Sequence, residues 1–293
     1  MRQRRDTSPY LFMLPAVAAL LIVTFAPFIG AVFLSLGRYE LLRPWLGWQF
    51  RGLGNFAEVL QDKAFWASAL TTLKFVVTAL AGETALGVAI ALFLNREFRG
   101  KGVVRTLILA PMIISPAVVG LVWRMLYNAD VGLVNYFFRL VGLPARPWLG
   151  DPSTALWAVA ATDIWQWTPY IVMVALAALE SLPLDYFEVA KIEGASFLQT
   201  LRYVTLPLIK PVLLVAVIVR TMDLLNTFGT IFVMTNGGPG RVTETLVIYG
   251  YKTGFNFFHI GYASAIALVA TVFTTIFALN FVNRTVDREA EVA

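Results

Sequence analysis

Residues 188–207 have the sequence EVAKIEGASFLQTLRYVTLP and lie between two long apolar segments. The stretch is polar, rich in helix-forming residues and contains a single glycine, Gly194. Because it joins two segments of membrane-spanning length, we interpret it as an extramembrane loop. It contains no recognisable pairing of a nucleophile with a base, which favours a docking surface for another protein over a site of chemistry.

The segments around this loop are apolar enough to cross a membrane. The chain has 293 residues, a mean hydropathy of +0.72 and only 14% charged residues, whereas soluble domains carry roughly 25%. Crossing a bilayer takes about 20 apolar residues, and uninterrupted apolar runs favour helices over barrel strands. We therefore predict an all-α integral membrane protein with six transmembrane helices, at about 10–36, 67–94, 107–127, 154–179, 208–235 and 261–282.

The distribution of Lys and Arg predicts the orientation of these spans. Positive charge favours the cytoplasmic side, and the densest cluster, RGKGVVR at 99–105 with Arg96 before it, lies between spans two and three. Both termini and the 188–207 stretch are then cytoplasmic. The predicted organisation is a cytoplasmic N-terminus (1–9), a six-helix transmembrane domain (10–285) that includes a cytoplasmic loop (180–207), and a cytoplasmic tail (286–293).

Composition excludes several classes of function. The chain has no Cys and one His, His259, so we expect no disulfide, no metal site and no His-based catalytic triad. It contains no G-x-x-x-x-G-K-[ST] phosphate-binding loop, so we expect no ATPase activity and no cofactor in this chain. Its basic residues are scattered through short loops, which argues against nucleic acid as a partner.

Two capping patterns predict the shape of the 180–207 loop. Asp185 with Glu188 predicts a capping box, a helix over about 186–193 and its end at Gly194. Ser196 with Gln199 predicts a second short helix from about Phe197, which Leu206-Pro207 would end. The bend would present small or apolar contacts beside charges, namely Val189, Ala190, Phe197, Leu198 and Leu201.

The same stretch resembles the EAA motif of ATP-binding-cassette importer permeases: Glu-Ala-Ala, three residues, Gly, nine residues, Ile, one residue, Leu-Pro. Val189 stands in place of the first alanine and Val204 in place of the isoleucine. In that family the loop docks on a separate ATPase subunit. The resemblance implies a coupling role for Glu188, Val189, Ala190, Gly194, Ala195, Ser196, Leu206 and Pro207.

A second motif narrows the resemblance to one branch of that family. TNGGP at 235–239 followed by TETL at 243–246 is similar to the carbohydrate-uptake branch, in the first membrane subunit of maltose- and glycerol-phosphate-type importers. This implies a type I importer fold in a bacterial inner membrane. It also implies a second permease subunit, a cytoplasmic ATPase dimer that binds ATP and Mg²⁺, and an extracytoplasmic solute-binding protein.

Polar residues inside the predicted spans are candidates for the translocation path, because burying them in lipid is costly. Aromatic rings with amide and carboxylate groups suit sugar rings, although an interfacial aromatic belt would also explain the tryptophans. The candidates are Asp163, Trp165, Gln166, Trp167, Asp223, Asn226 and Thr227. Arg220 with Asp223 has the spacing of a local ion pair, and Glu83 either lines a cavity or pairs with a cation elsewhere.

Three alternatives remain at this point. An ion-coupled secondary transporter would use Glu83, Asp163 and Asp223 as ion or proton sites, but no inverted repeat is visible. An importer for amino acids or peptides would share the fold. A membrane-embedded enzyme is disfavoured by the missing Cys and the single His.

Overall fold

The computed structural model describes the main chain of residues 8–290 and the side-chain environments of residues 13–276 and Leu279. The described chain is mostly helical. It packs into two compact units: one comprises the residues up to Trp66 with Gly250–Val272, and the other comprises Ala67–Tyr249 with the residues from Phe273 on.

The described residues form thirteen α-helices and one two-stranded hairpin. The strands are β1 (Gly37–Arg38) and β2 (Gln49–Phe50). The helices are α1 (Ser8–Ser35), α2 (Gly54–Gln61), α3 (Lys63–Leu94), α4 (Lys101–Leu109), α5 (Pro116–Leu126), α6 (Leu133–Leu140), α7 (Ala155–Glu180), α8 (Asp185–Ile192), α9 (Phe197–Thr200), α10 (Leu206–Leu225), α11 (Gly229–Thr235), α12 (Leu246–Tyr251) and α13 (Ile260–Ala290).

Membrane-length helices confirm the all-α membrane architecture. In the described part of the chain, Met13–Ser35 and Lys63–Leu94 are each long and apolar enough to cross a bilayer. Two bent helix pairs, α4 with α5 and α7 with α8, would each add a span if counted as one. The count of six spans, the cytoplasmic termini and the domain boundaries stay predictions.

The prediction of a single helix over 107–127 is wrong. After α4 the chain makes a 3₁₀ turn at Ala110–Ile113, becomes extended, and starts α5 at Pro116, with a bend of 100°. Proline disfavours helical backbone in the residue before it, and Ser115 accordingly has ψ 135°. The sequence IISP therefore divides this segment into two helices.

The prediction of a single helix over 208–235 is also wrong. Helix α10 ends at Leu225 and α11 begins at Gly229. At the break, the side chains of Asn226 and Thr227 bond back to the carbonyls of Met222 and Asp223, respectively, at 2.8 and 3.2 Å. Such side-chain bonds offer the backbone an alternative to continuing the helix.

Small residues bring α3 and α7 close together in the larger unit. A Cβ atom at Gly87 would lie 2.6 Å from side-chain atoms of Ile171, so only glycine fits there. Nearer the 180–207 loop, α10 packs on α7 through Ile209, Ala175 and Leu176, all buried. Helices α3, α7 and α10 thus form the core that positions the candidate site.

The smaller unit is organised by its hairpin. Buried Asn55 donates to the carbonyls of Ser35 and Gly37 at 2.8 and 2.9 Å. Glu40 accepts a hydrogen bond from Arg38 at 2.7 Å, and this bond holds the pKa of Glu40 below its ordinary value. His259 Nδ1 lies 3.9 Å from the same carboxylate, so the lone histidine is a neighbour of the Arg38–Glu40 pair.

Candidate functional site

The 180–207 loop has the predicted bend at its glycine. Gly194 has φ +71°, a left-handed conformation that side chains with a Cβ rarely adopt. Its N–H donates to the carbonyl of Lys191 at 3.2 Å, and the N–H of Ala195 donates to that of Ala190 at 2.9 Å. These two bonds are those of a Schellman motif, which closes the C-terminus of α8.

The second predicted cap is present. The N–H of Ser196 donates to the Gln199 side-chain oxygen at 2.7 Å, and the N–H of Gln199 donates back to the Ser196 hydroxyl at 3.4 Å. This reciprocal pair is a capping box, and it begins α9 at Phe197. The helix–glycine–helix shape of the loop therefore follows from contacts between residues close in sequence.

The first predicted cap is wrong. Leu184 holds the N-cap position of α8 with no side-chain cap bond, so Asp185 is the first helical residue rather than a cap. Asp185 and Glu188 still lie in the first turn, where negative charge complements the helix dipole.

The predicted end of the second helix is wrong as well. From α9 the chain continues through a π-helical turn at Leu201–Thr205 directly into α10, which starts at Leu206. Proline is tolerated in the first turn of a helix, because its missing N–H is not needed there, and Pro207 occupies that position. The loop is thus joined to α10 without a flexible break.

The loop exposes an apolar surface, which we call the coupling ridge. It is made of five exposed side chains: Tyr186, Val189, Ile192, Phe197 and Leu198. Ala190, expected among these contacts, is instead buried at 8% exposure, and Leu201 is half-buried. The Arg96 guanidinium lies 5.6 Å from the centre of the Phe197 ring, so cationic and apolar groups adjoin on this surface.

A cluster of three charges is buried deep in the larger unit, and we call it the buried ion cluster. It consists of Glu83 of α3, Asp163 of α7 and Arg220 of α10, exposed by 0%, 1% and 1%. Arg220 donates to both carboxylate oxygens of Glu83, at 2.7 and 3.0 Å, and also to Asp163. One guanidinium thereby joins three helices.

This cluster corrects the predicted local pair of Arg220 with Asp223. Arg220 lies on the buried face of α10, while Asp223 lies on the exposed face and makes no ion pair with it. The Arg220 guanidinium also lies 4.8 Å from the centre of the Trp167 ring, a cation–π contact. Of the two roles left open for Glu83, pairing with a distant cation is the one observed.

The four candidates on α7 do not share one surface. Asp163 and Gln166 are buried, and Trp167 is half-buried against Arg220. Trp165 is exposed and meets Trp123 edge-on, with 5.4 Å between ring centres. Gln166 Nε2 donates to the carbonyl of Ile114 at 2.9 Å, a contact that sequence reasoning missed because the two residues are far apart in the chain.

The candidates at the end of α10 are more accessible. Asp223 and Asn226 are exposed and Thr227 is half-buried. Val215, Val219 and Met222 are exposed on the same helix, so polar and apolar groups share an uncovered face. A role for either candidate set in contacting solute stays a prediction.

The TNGGP and TETL motifs fold into one compact turn. The Thr243 hydroxyl donates to the carbonyl of Gly238 at 2.7 Å and lies 2.7 Å from the hydroxyl of Thr235. Arg241 Nε donates to Glu244 at 2.6 Å, and the N–H of Leu246 donates to Thr72 of α3 at 2.9 Å. The motif pair therefore has a structural role in anchoring this turn on α3.

Residues 83–292 match the model of the family described as "Binding-protein-dependent transport system inner membrane component". The chain is 40% identical over 272 residues to the "Probable ABC transporter permease protein y4oQ" of Sinorhizobium fredii, covering 93% of this chain and 88% of the relative. It is 34% identical over 281 residues to the "Trehalose/maltose transport system permease protein MalF" of Thermococcus litoralis, covering 96% and 94%.

Among solved structures, the fold is similar to that of a bacterial ABC transporter involved in the import of the acidic polysaccharide alginate. The TM-score is 0.82 at 23% identity, covering 96% of each chain. The chain therefore belongs to the family of inner membrane components of binding-protein-dependent transport systems. This confirms the predicted resemblance and the inner-membrane location, and the alternatives of a secondary transporter and a membrane-embedded enzyme are wrong.

Proposed function

We propose that this chain is one of two permease subunits of an ATP-driven importer for a sugar or sugar-like solute. The observation that carries the proposal is the coupling ridge, an exposed apolar surface on a rigid loop that runs without a break into α10. In a member of this family, such a surface suits docking on a cytoplasmic ATPase dimer, which would bind ATP and Mg²⁺ itself.

The geometry of the loop suits it to pass movement of the ATPase to the membrane helices. The Schellman motif and the capping box fix the angle between α8 and α9, so the loop moves as one piece. Helix α7 is bent by 76° from α8 at one end of the loop, and α10 leaves the other end. Closure of the ATPase dimer would therefore move both helices and expose the solute cavity alternately to the two sides. An extracytoplasmic binding protein would deliver the solute.

Two observations support a carbohydrate as the solute. A relative named for trehalose and maltose transport is 34% identical along 96% of this chain. Exposed Trp165 of α7 offers an aromatic face, and the polar end of α10 offers hydroxyl-binding groups; each suits one feature of a sugar. An importer for a solute other than a carbohydrate is the second candidate, because the family fold alone does not select the solute.

The exposed polar residues of α10 are the best candidates for the translocation path. A carboxylate facing lipid near the bilayer centre costs about 2.5–3.5 kcal/mol on insertion scales, so Asp223 is better placed against water or a partner subunit. Asn226 and Thr227 follow in the next turn. These three residues would line the cavity formed with the second permease subunit.

Uptake by the reconstituted importer tests this function. The chain is purified with its partner subunits, placed in proteoliposomes with ATP inside, and given binding protein with a labelled disaccharide, polyol, amino acid or peptide. We expect ATP-dependent uptake of a carbohydrate that survives a proton ionophore. Uptake restricted to amino acids or peptides would replace the carbohydrate proposal, and uptake without ATP would overturn the function.

Asp223→Asn tests the path within the same assay, with Lys210→Gln as the control on the same helix. Both side chains are exposed, but Lys210 lies one turn from the loop. Losing one charge-assisted hydrogen bond to the solute would lower uptake about tenfold in Asp223→Asn. Equal uptake by the two variants would remove Asp223 from the path.

A further inference from the structure

Two buried side chains on the same face of α7 bond to different neighbouring segments. Asp163 and Gln166 are three residues apart, one turn of helix, and exposed by 1% and 0%. Asp163 accepts from Arg220 of α10, and Gln166 donates to the carbonyl of Ile114. Helix α7 is thus held by polar bonds both to α10 and to the bend between α4 and α5.

Ile114 lies at the point where that bend is made. Its backbone is extended, with φ −79° and ψ 136°, directly after the 3₁₀ turn. Carbonyls at the end of a helical segment lose their partners along the chain and need another donor. Gln166 supplies that donor at 2.9 Å from a residue 52 positions away.

The bend between α4 and α5 also contacts α11, the helix that follows α10. The Thr230 hydroxyl of α11 donates to the carbonyl of Pro116, the first residue of α5, at 3.2 Å. A Cβ atom at Gly120 would lie 3.0 Å from the carbonyl oxygen of Thr230, so α5 and α11 pack backbone to backbone. Because α11 follows α10 after a three-residue break, contacts run in a ring from α10 through α7 and α5 back to α11.

Within the described residues, only the nitrogen of the Gln166 amide is hydrogen-bonded. Gln166 Oε1 is buried and has no hydrogen-bond partner among the described residues. An oxygen left unpaired would offset part of the gain from the bond to Ile114. What the amide adds is a fixed attachment between α7 and the bend, which an apolar side chain of the same length would not provide.

We propose that Gln166 is a positioning residue that makes the bend between α4 and α5 follow movement of the coupling ridge. The inference rests on the proposed function, since it takes the ridge as the point where movement enters. Helices α7 and α10 carry that movement, because the loop joins them and Arg220 links them about 20 Å further along α10. The Gln166 bond passes it to Ile114 and α5.

The test uses the whole importer, reconstituted with its partner subunits and binding protein. Gln166→Met keeps the length of the side chain and removes the donor. Thr168→Val is the matched control, because Thr168 is a buried α7 residue whose hydroxyl also has no partner among the described residues. The readout is the number of ATP molecules hydrolysed for each solute molecule imported, beside the recovery of all subunits.

We expect Gln166→Met to raise that ratio about tenfold, the factor that corresponds to one hydrogen bond, while ATP hydrolysis stays within about twofold. Thr168→Val should keep the wild-type ratio. Gln166→Leu and Gln166→Asn also remove the bond, the first because it has no donor and the second because its side chain is too short to reach Ile114. They are measured in parallel in case Gln166→Met does not assemble with its partner subunits.

A distance measurement separates this role from a merely structural one. The chain has no cysteine of its own, so spin labels on Val118→Cys of α5 and Val215→Cys of α10, both exposed, are its only labelled sites, and the partner subunits are used in cysteine-free form. Trapping the ATP-bound state should change this distance little in the otherwise wild-type complex, because α5 follows α10, and should change it clearly with Gln166→Met. An assembled Gln166→Met complex that keeps both the wild-type ratio and the wild-type distance in the ATP-bound state would overturn the inference. Failure of the wild-type complex to transport any solute would instead overturn the proposed function.

Discussion

The coupling ridge and the buried ion cluster hold their shapes in opposite ways. The ridge is exposed, and its geometry comes from bonds between residues at most five positions apart, such as Ala195 to Ala190. The cluster is fully buried, and Arg220 bonds to residues 57 and 137 positions away. Removing a local cap should therefore change one turn of helix, whereas removing one charge of the cluster should disturb three helices at once.

The largest expected effect is that of Arg220→Met. Losing the guanidinium leaves two buried carboxylates without their partner, which should destabilise the protein by about 3–5 kcal/mol. The measurement is the unfolding midpoint of the purified chain in mixed micelles titrated with denaturing detergent. Lys210→Met, an exposed cation on the same helix, should stay within about 0.5 kcal/mol of wild type.

A charge-balanced variant sharpens this prediction. Glu83→Gln with Asp163→Asn and Arg220→Met removes all three charges and should recover at least half of the lost stability, since no unpaired charge remains. If the triple variant were as unstable as Arg220→Met alone, side-chain packing rather than charge pairing would hold the three helices.

Gly194→Asp should have the next largest effect, and on transport rather than on folding. A residue with a Cβ in the left-handed conformation costs roughly 1–2 kcal/mol, and the new carboxylate adds negative charge beside Glu193. We expect the variant to reach the membrane at wild-type level but to lose ATP-driven uptake by more than about tenfold.

Gly142→Asp is the control for backbone strain. Gly142 has φ +77° and open space around its Cβ position, as Gly194 does, but lies after α6 and away from the ridge. It should bear the same local strain and keep uptake within about twofold. Equal loss of uptake in both variants would show that strain, and not the shape of the ridge, is the cause.

Ser196→Ala should have a smaller, local effect. Loss of the capping box costs about 1 kcal/mol at the start of α9, because the N–H of Gln199 loses its acceptor. Hydrogen–deuterium exchange should become faster in peptides that cover α9 and should stay at the wild-type rate in the rest of the chain. Faster exchange spread along α7 and α10 would mean that the ridge is not locally specified.

Asp185→Ala should have the smallest effect of the series. Asp185 makes no cap bond, so only its interaction with the dipole of α8 is lost, about 0.3–1 kcal/mol at most. The same exchange experiment should show less change in α8 than Ser196→Ala causes in α9. A larger change would indicate that Asp185 caps α8 in solution.

The difference between the locally bonded coupling ridge and the long-range buried ion cluster explains which features could be predicted from the sequence. The bend at Gly194 and the cap at Ser196 depend on neighbours within one turn, so their residue types suffice to predict them. The prediction for Asp185 was wrong because the spacing of Asp185 and Glu188 does not itself show where the helix begins. The helix begins one residue earlier than expected, so Leu184 is the N-cap and Asp185 is the first helical residue. The two prolines affect the chain differently. Pro116 follows the extended residue Ser115 and starts a new helix, whereas Pro207 lies in the first turn of α10, which continues directly from the preceding π-helical turn.

The pairing of Arg220 could not be predicted in the same way. Asp223 has the right spacing for a pair within α10, but the face that α10 buries is decided by its packing on α3 and α7. Two carboxylates on those helices then share the guanidinium in a fully buried site. The bond from Gln166 to Ile114 is equally invisible in the sequence, since it depends on a break in the third predicted span.

The most direct test of ATPase docking by this loop is purification of the tagged chain from its native membranes in mild detergent, with Gly194→Asp in parallel and mass spectrometry of every associated protein. We expect the wild-type chain to carry a second permease and an ATPase subunit, and the variant to keep the permease but lose the ATPase. Recovery of the wild-type chain alone, or of the variant with undiminished ATPase, would contradict the claim that this loop couples the chain to its source of energy.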